Sequence, residues 1–129
     1  MGVFGRYLGI AFQIIDDILG IFGDERITGK PVGSDLREGK KTLLVIYALK
    51  RAEKPDKKLI LRVLGKRDAR RSEISKAIAA IDRSGAREYA ITVAKKYAEK
   101  AVAALDMLPE NSHKEHLREL IKFVIKREY

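Results

Sequence analysis

The first apolar segment of the chain reads VFGRYLGIAFQIIDDILGIF and predicts one helix from about Phe4 to Phe22. Apolar residues fall on nearly every side of this helix, which is typical of a helix that is buried all round. Two adjacent carboxylates, Asp16 and Asp17, interrupt the pattern, and burying a carboxylate is unfavourable unless a cation or hydrogen bonds compensate. Gln13 precedes the pair by three and four positions, so we expect these three residues to share one polar face.

An oxygen-rich face of this kind predicts a magnesium site, because Mg²⁺ binds through one or two carboxylates and completes its shell with water and phosphate oxygens. Gly5, Gly9 and Gly20 lie near the same stripe and leave it open to a bulky ligand. The alternative is a solvated carboxylate pair on a surface helix. That interpretation requires a face that is polar along its length, and only Arg6 and Gln13 precede the pair.

The segment from residue 23 to residue 42, GDERITGKPVGSDLREGKKT, contains four glycines, a proline and alternating charges, and it predicts a long loop. Loops of this length inside compact domains are usually functional. The segment supplies five basic residues, which are Arg26, Lys30, Arg37, Lys40 and Lys41. Lysines beside a magnesium site provide the additional positive charge that a diphosphate requires. The alternative is that they serve only the solubility of the loop.

The rest of the chain has helical periodicity and shows no convincing strand alternation. The predicted helices run from Thr42 to about Glu53, from Lys57 to Leu64, from a capping Ser72 to about Arg83, from Ala86 to Leu108, and onward from a capping box at Ser112. The sequence therefore predicts an all-α chain that forms a single domain over residues 1–129.

The formal net charge of +9 is unevenly distributed along the chain. Residues 1–40 hold five Lys or Arg against six Asp or Glu, whereas residues 41–129 hold 22 against 12. A basic region of this kind is compatible with a small helical nucleic-acid-binding protein, which is an alternative from another functional class. The basic residues lie around helix ends with little aromatic interleaving, so we expect solvated helix faces and no nucleic-acid partner.

The absence of cysteine excludes a disulfide framework, and no transit or signal segment precedes the first helix, so we expect a cytosolic protein. The uncharged run from Tyr7 to Ile15 is far shorter than the roughly 20 residues that span a bilayer. Two aspartates at the centre of the helix would also oppose insertion. We therefore expect no stable membrane insertion.

Three blocks of the sequence carry a resemblance to a known family, and they are residues 12–17 (FQIIDD), 29–35 (GKPVGSD) and 38–42 (EGKKT). In this order and spacing they resemble the second aspartate-rich region of the trans-isoprenyl diphosphate synthases, the head-to-tail prenyltransferases. The resemblance continues downstream to the end of the chain. It implies an all-α fold that corresponds to the C-terminal helices of an isoprenyl-synthase-type bundle.

The resemblance also implies a role for each matching residue. Asp16 would be a direct ligand of a Mg²⁺ that bridges to an allylic diphosphate, with Asp17 as a supporting ligand or a ligand through water. Gln13 would donate a hydrogen bond near the same diphosphate. Lys30 and Lys40 would contact diphosphate oxygens and stabilise the leaving group. Asp16, Asp17 and Lys30 are the residues that the resemblance implies to be catalytic.

This sequence departs from the family pattern in two respects. The aspartate-rich motif usually reads DDxxD, and Gly20 stands at its last position. The family also has a first motif of the same kind upstream, and no second Asp-Asp pair occurs here. The resemblance thus implies part of a prenyltransferase that condenses an allylic diphosphate with isopentenyl diphosphate through Mg²⁺-assisted ionisation and is inactive alone. A non-catalytic partner subunit or remnant is the alternative.

An apolar first helix also predicts association, because large exposed apolar surfaces usually mark contacts between proteins. We therefore expect a homo-oligomer, or a complex with a chain that supplies the missing helices.

Overall fold

The computed structural model describes residues 2–23, 29, 32–107 and 112–126, and every regular element within these ranges is a helix. The helices are α1 (Gly2–Phe22), α2 (Ser34–Glu38), α3 (Leu43–Arg51), α4 (Lys54–Val63), α5 (Arg71–Arg83), α6 (Ala86–Asp106) and α7 (Ser112–Lys126). The predicted all-α fold is confirmed. In the described ranges we find no helix that is both long enough and apolar enough to cross a membrane.

Contacts within the chain divide it into two compact units. One unit contains α1 up to Ile15 together with the chain from Ile91 onward, and the other contains Asp16–Ala90. Both α1 and α6 therefore contribute to each unit. The single domain expected from the sequence stays a prediction.

The core of the first unit is small and rich in alanine. Phe4, Leu8 and Ala11 of α1 pack with Ala98, Ala101 and Leu105 of α6 and with Ile121 of α7. Alanine side chains let neighbouring helices approach closely, because they add little volume between the two backbones. The rings of Tyr7 and Tyr97 lie 6.1 Å apart at the edge of this core.

The core of the second unit is built from branched aliphatic side chains on several short helices. Helices α4 and α5 pack against each other, and α3 contacts both. The largest fully buried side chains among the described residues of this unit are Ile18, Ile21, Leu36, Leu44, Val45, Ile60, Val63, Ile74 and Ile81. Leu36 belongs to α2, so its burial ties this five-residue helix to the core.

Helix α1 is not buried all round in this chain, contrary to the sequence prediction. Phe12 is 38% exposed, and Gly9, Gln13 and Asp16 on the same side are also exposed. The opposite side carries the buried Phe4, Leu8, Ile15 and Ile18. The helix is therefore buried along one side within each unit, and its apolar residues also form part of the surface.

The segment predicted as a long loop contains α2, so that prediction was wrong over Ser34–Glu38. Gly33 and Gly39 flank the helix with φ angles of 73° and 74°, a left-handed backbone conformation that glycine adopts without steric cost. Burial of Leu36 stabilises the intervening turn. Residues 24–28, 30 and 31 of the same segment lie outside the described residues.

Two predicted helix starts were also wrong. Helix α4 begins at Lys54 because Pro55 fits the first turn of a helix, where its missing N–H is not required. Helix α5 begins at Arg71, and Glu73 accepts a hydrogen bond from the backbone N–H of Arg70 at 3.2 Å, so Ser72 is not the cap. Thr42, predicted as the first residue of α3, instead caps the helix, since its hydroxyl accepts from the Val45 N–H at 3.3 Å. Helix α7 begins at the predicted position, although the side chain of Ser112 lies outside the described residues.

Candidate functional site

The two adjacent carboxylates of α1 point in different directions. Successive residues of an α-helix are separated by about 100° around its axis. As a result Asp16 is exposed, whereas Asp17 is buried with 7% of its surface accessible. Gln13, one turn earlier on the same helix, is exposed like Asp16. The structure thus divides the predicted polar face into an outward part and an inward carboxylate.

The inward carboxylate is paired with a lysine from the end of the next element. Lys40 Nζ lies 3.2 Å from Asp17 Oδ1, and 43% of the lysine side chain remains accessible to solvent. Helix α2 ends at Gly39, and the backbone N–H of Lys40 donates to the Asp35 carbonyl at 3.0 Å. This local turn directs the lysine toward α1. Two of the residues that the sequence assigned to one site are therefore brought together.

The surroundings of Lys40 keep its ammonium group protonated. The hydrogen bond to Asp17 raises the pKa of Lys40 above its ordinary value, partial burial opposes this effect, and the charges of Asp17, Asp35 and Asp16 reinforce it. Lys40 is therefore a permanent positive charge at neutral pH. It lies beside one buried and one exposed carboxylate.

A third acidic residue, Asp35 of α2, was missed by the sequence analysis as a neighbour of this site. Its side chain is buried, and its carboxylate lies where the side chain of residue 20 would stand. A Cβ atom built on Gly20 would overlap Asp35 Oδ2 and would lie 2.5 Å from Asp35 Cγ. The sequence feature that could have indicated this neighbour is the glycine at the last position of the aspartate-rich motif, because such a glycine permits close approach of another element.

Only some of the remaining predicted site residues lie within the described ranges. Lys30 and Arg26 lie outside the described residues, while Lys41 is exposed. Arg37 donates a hydrogen bond to the Val32 carbonyl at 2.9 Å, so it braces the start of α2. Within the described ranges, no three His, Cys, Asp or Glu side chains are grouped closely enough to hold a metal ion. The exposed Asp16 offers an oxygen ligand of the kind that Mg²⁺ takes, since this ion binds through one or two protein carboxylates and fills its other positions with water and substrate oxygens, whereas Asp17 is paired with Lys40.

Comparison with known proteins identifies the family. A sequence profile of the polyprenyl synthetase family matches residues 1–81, which include all three blocks of the resemblance and the Asp17–Lys40 pair. The chain belongs to the polyprenyl synthetase family. The resemblance noted from the sequence is thereby confirmed.

The relatives that this chain matches are considerably longer than the chain. The geranylgeranyl diphosphate synthase of Saccharolobus solfataricus is 43% identical over 126 residues, which are 96% of this chain and 38% of that protein. The geranylgeranyl pyrophosphate synthetase structure from Pyrococcus horikoshii gives a TM-score of 0.86 at 42% identity and covers 98% of this chain and 38% of that one.

A second solved structure gives the same fold. The geranylgeranyl pyrophosphate synthase of Corynebacterium glutamicum, in complex with isoprenyl diphosphate and magnesium, gives a TM-score of 0.90 at 35% identity and covers 98% of this chain and 36% of that one. The chain therefore has the helical fold of the polyprenyl synthetases over nearly its whole length. It spans about two-fifths of the length of these relatives.

Proposed function

We propose that this chain supplies the second carboxylate-and-lysine cluster of a prenyltransferase active site and corresponds to the C-terminal part of such an enzyme. The observation that carries the proposal is the 3.2 Å contact between Lys40 Nζ and Asp17 Oδ1, beside the exposed Asp16. An exposed carboxylate next to an ion-paired carboxylate and lysine can recognise a metal-bound diphosphate, whose charge exceeds what the metal alone neutralises.

The proposed site binds its ligands through side chains of two elements. Asp16 and Asp17 would hold Mg²⁺, which when bound would neutralise part of the diphosphate charge. Lys40 would donate to a diphosphate oxygen while Asp17 keeps its ammonium in place. Gln13 would donate from its amide to the same group, and Lys30 would add a second ammonium, as the resemblance implies.

The proposed reaction transfers an allylic prenyl group to isopentenyl diphosphate. The bond between the allylic carbon and the diphosphate oxygen breaks, and its electron pair leaves with the diphosphate. The double bond of isopentenyl diphosphate then attacks the allylic cation to form a carbon–carbon bond. The released diphosphate would accept the proton whose loss restores a double bond. The positive charges of Lys40 and Lys30 would contribute by stabilising the negative charge that develops on the departing diphosphate.

We further propose that the chain requires additional helices to complete the reaction. Its one Asp-Asp pair provides half of the two-sided metal clamp that the family resemblance implies, and the chain covers 38% of its archaeal relative. Helices that these 129 residues do not include would supply the other half. On its own the chain is expected to bind diphosphate and to form no prenyl product.

The proposal is tested by isothermal titration with inorganic pyrophosphate in the presence and absence of Mg²⁺. The wild-type chain is expected to bind more tightly with Mg²⁺. The variant Lys30→Ala should weaken this binding by about tenfold or more, since a hydrogen bond to a charged group contributes about 1.5–3 kcal/mol. Asp16→Ala should weaken it at least as much, because it removes a direct ligand of the metal.

Asp82→Ala is the matched control, because Asp82 is an exposed aspartate on α5, outside the proposed cluster. It should bind pyrophosphate as the wild type does. The assignment is wrong if the wild type shows no Mg²⁺-dependent binding, or if both site variants bind as tightly as the control.

A further inference from the structure

The glycine at the end of the aspartate-rich motif has a structural counterpart on α2. The Asp35 carboxylate is seated in the space that Gly20 leaves open on α1, and only 5% of the Asp35 surface is accessible. Any side chain at position 20 would have to displace this carboxylate. Gly20 and Asp35 are therefore complementary in shape: Gly20 has no side chain, and the Asp35 side chain fills the space that this leaves on α1.

The contact between Asp35 and Gly20 is connected to Lys40 through a backbone hydrogen bond. The Asp35 carbonyl accepts the hydrogen bond from the Lys40 N–H at 3.0 Å, so the residue that docks on α1 also holds the lysine backbone. Helix α2 is also fixed by the buried Leu36, whose carbonyl accepts from the Gly65 N–H at 2.8 Å. A shift of Asp35 would consequently move Lys40 relative to Asp17.

We propose that Asp35 is a positioning residue for Lys40: its carboxylate, seated against Gly20, docks α2 on α1 and thereby holds the lysine at Asp17. This inference rests on the proposed function, in which Lys40 contacts the diphosphate. A direct metal-binding role for Asp35 is not favoured, because its carboxylate is buried against Gly20 with only 5% of the residue surface accessible.

The first test places a methyl group in the docking space. Gly20→Ala should displace Asp35, raise the hydrogen-exchange rate of the Lys40 amide by at least tenfold, and weaken Mg²⁺-dependent pyrophosphate binding by about tenfold. Gly5→Ala is the matched control, because it is the same substitution on α1 and its Cβ would meet no atom within 4 Å. Equal exchange rates of the Lys40 amide in the two variants would overturn the proposal.

The second test asks whether Asp35 acts through the lysine. Asp35→Asn adds no heavy atom, so it also carries the test if Gly20→Ala does not fold. We measure pyrophosphate affinity for Asp35→Asn, Lys40→Ala and the double variant. If Asp35 works by placing Lys40, the double variant binds no more weakly than Lys40→Ala alone. Additive losses would mean that Asp35 contacts the ligand or metal independently and would refute a positioning role.

The two readouts separate this inference from the function on which it rests. A wild-type chain that binds no pyrophosphate would contradict the proposed function, while the exchange rate of the Lys40 amide would still report whether Asp35 holds the lysine. Conversely, normal pyrophosphate binding with an unchanged Lys40 amide in both Gly20→Ala and Asp35→Asn would contradict only the positioning role.

Discussion

Gly39, the residue that precedes Lys40, is expected to be unusually intolerant of alanine. Its φ angle of 74° lies in the left-handed region, which costs an L-residue about 1–2 kcal/mol. A Cβ at this position would lie 3.1 Å from the Cα atom and 3.4 Å from the N atom of Gly65. Both are backbone atoms, so no side-chain rotation can relieve the contact, and overpacking adds about 1–3 kcal/mol. Gly39→Ala should therefore lower the free energy of unfolding by about 2–5 kcal/mol.

The neighbouring glycine provides a control for the backbone conformation alone. Gly65 has a φ angle of 77°, and a Cβ built on it would lie 3.9 Å from the Gly39 Cα, which is an ordinary van der Waals distance. Gly65→Ala should lower the free energy of unfolding by about 1–2 kcal/mol only. Urea unfolding followed by far-ultraviolet circular dichroism, at one protein concentration, measures both values. If the two variants are equally stable, the close backbone contact does not restrict position 39 and the reasoning is wrong.

Two further predictions concern an ion pair and the oligomeric state. Arg83 donates to both carboxylate oxygens of Asp56 at 2.9 and 3.0 Å, and these hydrogen bonds are the main reason that the pKa of Asp56 is lowered, with burial opposing them. The stabilisation that this ion pair gives the folded state is present above the unfolded-state pKa of Asp56 and is lost as the pH falls through the lower folded-state pKa. Arg83→Gln should therefore raise the pKa of Asp56 in an NMR titration. It should also reduce the loss of stability below about pH 4. An unchanged Asp56 titration curve would argue against this pairing. Because Phe12 and Val3 are exposed on α1, sedimentation equilibrium at low micromolar concentration should give a mass above the 14.6 kDa of one chain, and a purely monomeric species would contradict that expectation.

The longer helices were predictable from sequence because apolar periodicity over many residues dominates their formation. Helix α1 extends two residues beyond its predicted start and ends at the predicted Phe22, and Ala86 begins α6 as expected. Helix α2 was not predictable in the same way. Its five residues are too few to show a period, and its stability depends on the burial of Leu36 and on two flanking glycines in left-handed conformations.

In the site, too, the sequence pattern indicates individual residues, whereas their contacts depend on tertiary packing. The sequence pattern singled out Asp17 and Lys40 separately, but their direct pairing depends on where α2 docks. The contact of Asp35 with Gly20 joins residues from two elements across a segment that was predicted to be irregular. Local propensities carry no information about such a contact, so the sequence analysis interpreted Gly20 as a missing carboxylate and as part of an open face.

The alanine-rich core of the first unit limits how large a side chain can be at its alanine positions. An alanine scan does not test these positions, because they are already alanine. Ala11 of α1 and Ala98 and Ala101 of α6 are fully buried, so they have no larger group to lose. Enlarging any of them to leucine would force the helices apart or side chains out of their preferred rotamers, at a cost of about 1–3 kcal/mol. A saturation library of this chain should therefore tolerate serine or glycine better than leucine at these three positions, and hydrophobicity alone would rank the substitutions in the wrong order.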